Sequence, residues 1–141
     1  MLKKDELDKI SESIRFAESN TSGEIRVYVA KHCKGAPLEK AYKIFHQLKM
    51  DSTTLRNGVL IYVALSDQKA AIYADEGINT FIQEPDFWQE TLDLMLSYFK
   101  KGLLSEGICK GVGKAGEVLK ARFPVSENDI NELDNEVIIE E

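Results

Sequence analysis

The feature that most constrains the fold is a hydrophobic segment, VLIYVAL, at positions 59–65. An unbroken apolar run rich in β-branched and aromatic residues is typical of a strand that is covered on both faces. A short polar turn, SDQK at 66–69, leads directly into a second strand-like segment, KAAIYA at 69–74. Because parallel strands need a long crossover connection, the second strand has to return antiparallel to the first.

The sequence before this hairpin predicts a parallel crossover. EIRVYVAKH at 24–32 alternates apolar and polar residues, which indicates a strand. After a break at 35–37, residues 38–50 show the spacing of an amphipathic helix, and Pro37 is suited to its first turn. A strand, a helix and a second strand in this order form a right-handed parallel unit in nearly all folds.

Helical periodicity marks three further segments, at 4–19, from Pro85 to about Lys101, and at 105–122. The resulting order of elements is α-β-α-β-β-α-α. This order predicts an α/β fold: a three-layer α/β/α sandwich, Rossmann-like, with helices on both faces of a small mixed sheet.

The chain of 141 residues has the usual length of one domain. We expect that domain to span residues 1–125, since Pro124 follows the last helical pattern. Residues 126–141 carry seven acidic residues and no Lys or Arg, so they predict a mobile acidic tail. The apolar residues at 137–139 are the part of this tail suited to docking on another surface.

Composition excludes several classes of protein. Without the tail the chain is almost neutral, so no basic surface is predicted and we expect no nucleic-acid partner. We find no apolar run long enough for a membrane span and no signal peptide at the start, so we expect a cytoplasmic protein. We also expect this protein to be a monomer. The GVGKAG sequence at 111–116 lies inside a helical pattern rather than after a strand, so it does not indicate a nucleotide-binding loop.

The predicted topology brings polar residues from three segments to one edge of the sheet, which we call the rim. Glu24 opens the first strand, and Asp51 and Asn57 precede the second. Asp75 and Glu76 follow the third strand, which runs in the opposite direction and therefore ends at the edge where the others begin. We expect these five side chains to lie near one another.

Carboxylate and amide oxygens are the ligands that Ca²⁺ and Mg²⁺ prefer, so the rim predicts a site for a divalent cation. Each residue also has an ordinary structural interpretation. Glu24 is then a solvated charge, and Asp75 caps a helix with Glu76 in its first turn. Arg56 pairs with Asp75 in that interpretation. The residues alone leave both interpretations open.

Several segments resemble the TPM domain family: TSGEIRVYV (21–29), FHQLKMDSTTLRNGVLIYVAL (45–65), IYADEGI (72–78), DFWQE (86–90) and NELDNEV (131–137). The resemblance implies an α/β/α sandwich that binds divalent cations, Ca²⁺ in particular, and it implies the acid phosphatase activity described for plant lumenal members. Carried over by position, the implied ligands are Glu24, Asn57, Asp75 and Glu76. Asp51 occupies a position that varies more in the family. Many relatives carry a signal sequence and a membrane anchor. We find neither pattern in this sequence, so we expect a stand-alone bacterial TPM domain.

Three functions are consistent with these residues. The first is a cation-binding domain with a regulatory or structural role. The second is a metal-assisted acid phosphatase acting on phosphate esters, in which Arg56 would stabilise the charge of the transferred group. The third is a protein-interaction module whose acidic tail contacts a basic partner. Cation binding needs only oxygen ligands, whereas phosphoryl transfer also needs a nucleophile or a positioned water, so the sequence favours the first function.

Overall fold

A computed structural model describes residues 2–82, 84, 86–125 and 137–140 of the protein. The sheet contains β1 (Glu24–Ala30), β2 (Gly58–Ala64), β3 (Lys69–Ala74) and β4 (Ile138–Ile139), in the spatial order β3-β2-β1-β4. β1 and β2 are parallel, β3 is antiparallel to β2, and β4 is parallel to β1. The parallel crossover and the antiparallel return predicted from the sequence are both confirmed.

Helices cover both faces of this sheet. They are α1 (Lys4–Glu18), α2 (Pro37–Gln47), α3 (Glu76–Asn79), α4 (Gln89–Lys100) and α5 (Leu104–Arg122). Apolar residues of α1, α4 and α5 form one core with one sheet face, and α2 packs on the other face. The predicted α/β fold is therefore confirmed. Within the described residues, no helix combines the length and the apolar character that crossing a bilayer requires.

Alternating side chains of the strands divide the core into two layers. In β1, Ile25 and Val27 belong to the layer beneath α1, α4 and α5, whereas Ala30 belongs to the layer beneath α2. Every residue of β2 is buried, as expected for a strand covered on both faces. Because β2 lies between β3 and β1, its first residue, Gly58, lies at the rim with a neighbouring strand on each side.

Three boundaries differ from the sequence prediction. α2 ends at Gln47 because Lys49 adopts a left-handed backbone conformation with φ of 57°, and a 3₁₀ turn (Met50–Ser52) follows. α4 begins at Gln89 rather than near Pro85. The tail segment Ile138–Ile139 pairs with β1, while the predicted mobility at 126–136 and at 141 concerns positions outside the described residues.

The start of α3 packs directly on the loop that precedes β2. Gly77 donates its backbone N–H to the carbonyl oxygen of Arg56 at 2.9 Å. A Cβ at position 77 would meet the carbonyl oxygens of Leu55 and Arg56, which are backbone atoms and cannot rotate away. A residue without a Cβ is therefore required for the rim segments to approach each other.

We expect Gly77→Ala to lower the free energy of unfolding by about 2 kcal/mol or more, because overpacked backbone contacts cannot relax cheaply. Gly113→Ala is the matched control, since the added methyl group would meet open space on α5. That control should gain about 1 kcal/mol from better helix propensity. Urea unfolding of both variants measures the difference, and equal stabilities would contradict the close approach at Gly77.

Candidate functional site

Hydrogen bonds between the three rim segments hold them in register. Glu24 lies opposite Gly58, and the backbone N–H of Glu24 donates to the carbonyl oxygen of Asn57 at 3.3 Å. On the other side of β2, the backbone N–H of Asp75 donates to the carbonyl oxygen of Gly58 at 3.0 Å. Glu24 and Asp75 thus flank Gly58 on the two sides of β2, and Asn57 directly precedes Gly58 in the chain.

Asp75 is a buried carboxylate whose partners are all local. Its side chain is 3% exposed, and both of its oxygens accept hydrogen bonds from Arg56, from Nε at 2.9 Å and from Nη2 at 3.0 Å. Oδ1 also accepts the backbone N–H of Glu76 at 2.8 Å at the start of α3. The two structural roles considered for Asp75, helix cap and ion-pair partner, are therefore both present.

Arg56 connects this buried carboxylate with an exposed one. Its Nη1 lies 3.1 Å from Oε1 of Glu76, whose side chain is 73% exposed, while the Arg56 side chain itself is 38% exposed. Hydrogen bonding to Asp75 raises the pKa of Arg56 above its usual value. The backbone of Arg56 is left-handed, with φ of 51°, which is uncommon for a residue with a side chain.

Asn57 is a buried amide of the rim whose side chain is only partly hydrogen-bonded. It is 1% exposed, its backbone N–H donates to Oγ1 of Thr53 at 3.3 Å, and its Nδ2 lies 3.5 Å from Oγ of Ser22. No hydrogen-bond partner for its Oδ1 occurs among the described residues. A buried amide oxygen without a donor is costly, so this atom is suited to a water molecule or a cation.

Glu24 belongs to a buried acidic pair that the sequence did not predict. Glu24 is 2% exposed, and its neighbour is Glu18, the last residue of α1. Oε2 of Glu18 accepts the backbone N–H of Ile25 at 2.6 Å. Burial raises the pKa of Glu18 to about 8, and the charge of Glu24 and a hydrogen bond between the two side chains contribute to the rise. These interactions favour the protonated form of Glu18.

Asp51 contributes negative charge to the surroundings of Arg56. It lies half-buried in the 3₁₀ turn before β2, and its negative charge is the weakest of the three carboxylate charges that raise the pKa of Arg56. Within the described residues, no three His, Cys, Asp or Glu side chains lie close enough together to hold a metal ion. The rim is therefore not a cage of carboxylates, and its acidic residues fall into two groups, Glu18 with Glu24 and Asp75 with Glu76.

The opposite edge of the sheet carries a second polar group that sequence reasoning missed. Oδ1 of Asp67 lies 3.0 Å from Nδ1 of His32, and Oδ2 accepts the backbone N–H of Cys33 at 2.7 Å. The hydrogen bond with His32 lowers the pKa of Asp67. These contacts join the loops after β1 and β2. The signal available in the sequence was Asp67 in the turn before β3, because aspartate side chains in turns often accept hydrogen bonds from nearby backbone groups.

A cavity of about 560 Å³ lies apart from the rim. Its lining includes Glu90 of α4 and Lys110 and Lys114 of α5, and it includes none of the five predicted site residues. The polar chemistry predicted from the sequence is therefore found at an open edge of the sheet rather than in this cavity.

A sandwich of helices around a small mixed sheet, with acidic side chains and an amide at the starts of its parallel strands, defines the class of domain. Residues 1–118 match the TPM domain family, so the chain belongs to that family. The BA42 protein from the psychrophilic bacterium Bizionia argentinensis is 43% identical, with a TM-score of 0.88, and the match covers 99% of this chain and 96% of that protein.

Two more distant structures share the fold. The N-terminal domain of a protein from P. gingivalis is 19% identical with a TM-score of 0.67 over 86% of this chain and 78% of its own. The N-terminal domain of a Corynebacterium glutamicum protein is 9% identical with a TM-score of 0.65 over 89% of this chain and 79% of its own. No curated protein gives a significant match to the sequence.

We expect Glu18→Gln to flatten the pH dependence of stability. The unfolded chain loses the Glu18 proton near its ordinary pKa of 4.5, whereas the folded chain keeps it up to about 8. Between these values the folded state binds more protons, so stability falls as pH rises, by at most about 1.4 kcal/mol per pH unit for one proton. Gln preserves the acceptor for Ile25 and the donor towards Glu24 without titrating.

Urea unfolding at several pH values across this range measures the slope for the wild type and the variant. Glu12→Gln, an exposed change on the same helix, is the control and should keep the wild-type slope. An unchanged slope in Glu18→Gln would show that Glu18 does not carry the proton.

Proposed function

We propose that the rim binds a divalent cation, Ca²⁺ or Mg²⁺, and that the bound cation has a regulatory or structural role. The observation that carries the proposal is the buried side-chain oxygen of Asn57, which has no hydrogen-bond donor among the described residues. Asn57 directly precedes Gly58, the residue of β2 that has Glu24 on one side and Asp75 on the other. A hard cation would satisfy this oxygen and offset the negative charge of its neighbours.

The donors present fit a partly hydrated cation. Asn57 supplies an amide oxygen and Glu24 a carboxylate beside it, while Asp75 and Glu76 supply carboxylates that Arg56 contacts. Asp51 adds negative charge to the surroundings of Arg56. Mg²⁺ is commonly held through one or two carboxylates with water filling its remaining positions, so a site of this kind does not require a cluster of three acidic side chains.

A metal-assisted acid phosphatase acting on phosphate esters is the alternative function. One observation favours it, namely the Arg56 guanidinium at the same rim, because such a group can stabilise the charge of a transferred phosphoryl group. A bound cation would supply a Lewis acid. A protein-interaction role is the third candidate, supported by the exposed apolar side chains of Leu38 and Tyr42 on α2.

Titration with Ca²⁺ and with Mg²⁺, followed by amide NMR, tests the proposal. Backbone signals at 22–24, 55–58 and 75–78 should shift together with one dissociation constant. Asn57→Ala should weaken that affinity by about tenfold or more, since the variant loses an oxygen ligand. Shifts confined to residues 126–141 would contradict a site at the rim.

Asn79→Ala is the matched control for this titration. Asn79 is also an amide at the rim, but its Nδ2 donates to the carbonyl oxygen of Ala74 at 2.9 Å and the residue is exposed. The control should keep the wild-type affinity. Asp67→Asn, a change at the opposite edge, should do the same.

Hydrolysis of a phosphate ester in the presence of either cation separates the two main functions. The phosphatase requires that Asn57→Ala lowers the rate together with the cation affinity. Equal rates in the wild type and the variant would leave cation binding without catalysis at this site.

A further inference from the structure

The guanidinium of Arg56 occupies the carboxylates that a cation would need. It contacts both oxygens of Asp75 and one oxygen of Glu76, at 2.9 to 3.1 Å. A bidentate arginine on a buried carboxylate is among the stronger polar contacts in proteins. In this arrangement Asp75 is already neutralised by a positive charge that belongs to the chain itself.

We propose that Arg56 is an internal competitor that sets the affinity of the rim for divalent cations. This inference rests on the cation binding proposed above. A cation that engages Asp75 must displace the guanidinium, which contacts both oxygens of that carboxylate, so the measured affinity includes the loss of the Arg56 contacts. The guanidinium therefore acts as an intramolecular competitor, whose effective concentration stays the same when the concentration of cation is raised.

The backbone around Arg56 allows its side chain to leave without disturbing the fold. Its backbone N–H donates to the carbonyl oxygen of Thr53 at 3.2 Å, and its carbonyl oxygen accepts from Gly77 at 2.9 Å. These bonds fix the left-handed backbone independently of the guanidinium. The side chain is already 38% exposed, so a change of rotamer places it in solvent.

The same arrangement explains how Asp75 tolerates burial when no cation is bound. An unpaired buried carboxylate would be strongly destabilising. Arg56 removes that cost in the free protein, and the cation removes it in the complex. The two positive partners are therefore exchangeable in their effect on the fold, and each excludes the other from Asp75.

The variant Arg56→Gln tests this exchange. Without cation its melting temperature should fall below that of the wild type, because Asp75 has lost its partner. Its affinity for Ca²⁺ or Mg²⁺ should rise about tenfold or more, because the cation no longer has to displace the charge-assisted hydrogen bonds of the guanidinium. The melting temperature should consequently increase more with cation in the variant than in the wild type.

Arg15→Gln is the matched control, because it removes the same charge from an exposed position on α1. It should leave the cation affinity and the cation-induced shift at wild-type values. An equal gain in affinity in both variants would mean that overall charge is responsible, and it would overturn the role of Arg56.

A second measurement uses the wild-type protein and does not depend on the stability of a variant. The Nε–Hε NMR signal of Arg56 should move towards that of an unpaired arginine as cation is added, in step with the rim amides. Rim amides that respond while the Arg56 signal stays constant would overturn this inference and leave the proposed function standing. No response of the rim in either the wild type or Arg56→Gln would overturn both.

Discussion

The antiparallel return of β3 beside β2 is the constraint on which the rim depends. The connection between them spans only Leu65–Gln68, so β3 has to run back along β2 and end beside its first residue. The hydrogen bond from Asp75 to Gly58 marks that end point. The parallel pairing of β1 with β2 places Glu24 on the other side of Gly58. Two topological facts therefore bring residues separated by about fifty positions onto neighbouring strands, and both follow from the length of a connection.

The rim gathers buried acidic and amide groups, and the chain offsets the cost of burying them in different ways. Asp75 is paired with a guanidinium, which stabilises its charged form. Glu18 is stabilised in its protonated form and hydrogen bonds with Glu24, which reduces the repulsion between two buried carboxylates. For Oδ1 of Asn57, the described part of the protein provides no hydrogen-bond donor. The burial of this amide oxygen without a donor is why Asn57 carries the functional proposal.

The sequence predicted β1, β2 and β3 and the approach of the segments that carry Glu24, Asn57 and Asp75, because strand direction follows from hydrophobic patterns and connection lengths. It did not predict that Ile138–Ile139 forms β4. It did not predict Glu18, since a glutamate at the end of an amphipathic helix has the pattern of a solvated residue until the angle between α1 and β1 is known. Nor did it predict the left-handed conformation of Lys49, which ends α2 early and leads into the 3₁₀ turn that carries Asp51. The contact between Asp67 and His32 depends on two loop conformations that hydrophobic periodicity does not encode. The directions of these strands could therefore be predicted from the sequence, whereas the hydrogen-bond partners of side chains at the ends of helices and strands could not.

The Arg56 contacts also bear on why a cation site of this kind would be weak rather than tight. A site that depended on the cation for neutralisation would leave Asp75 unpaired in the free protein, and folding would then require the metal. A chain that supplies its own positive charge avoids this dependence, but the same charge has to be displaced before a cation can bind. The Arg56 guanidinium would therefore stabilise the metal-free protein and, by the same contacts with Asp75, lower the affinity of the site for a cation. The exposed position of Glu76 moderates this effect, because a cation can approach this carboxylate first while Arg56 still holds Asp75.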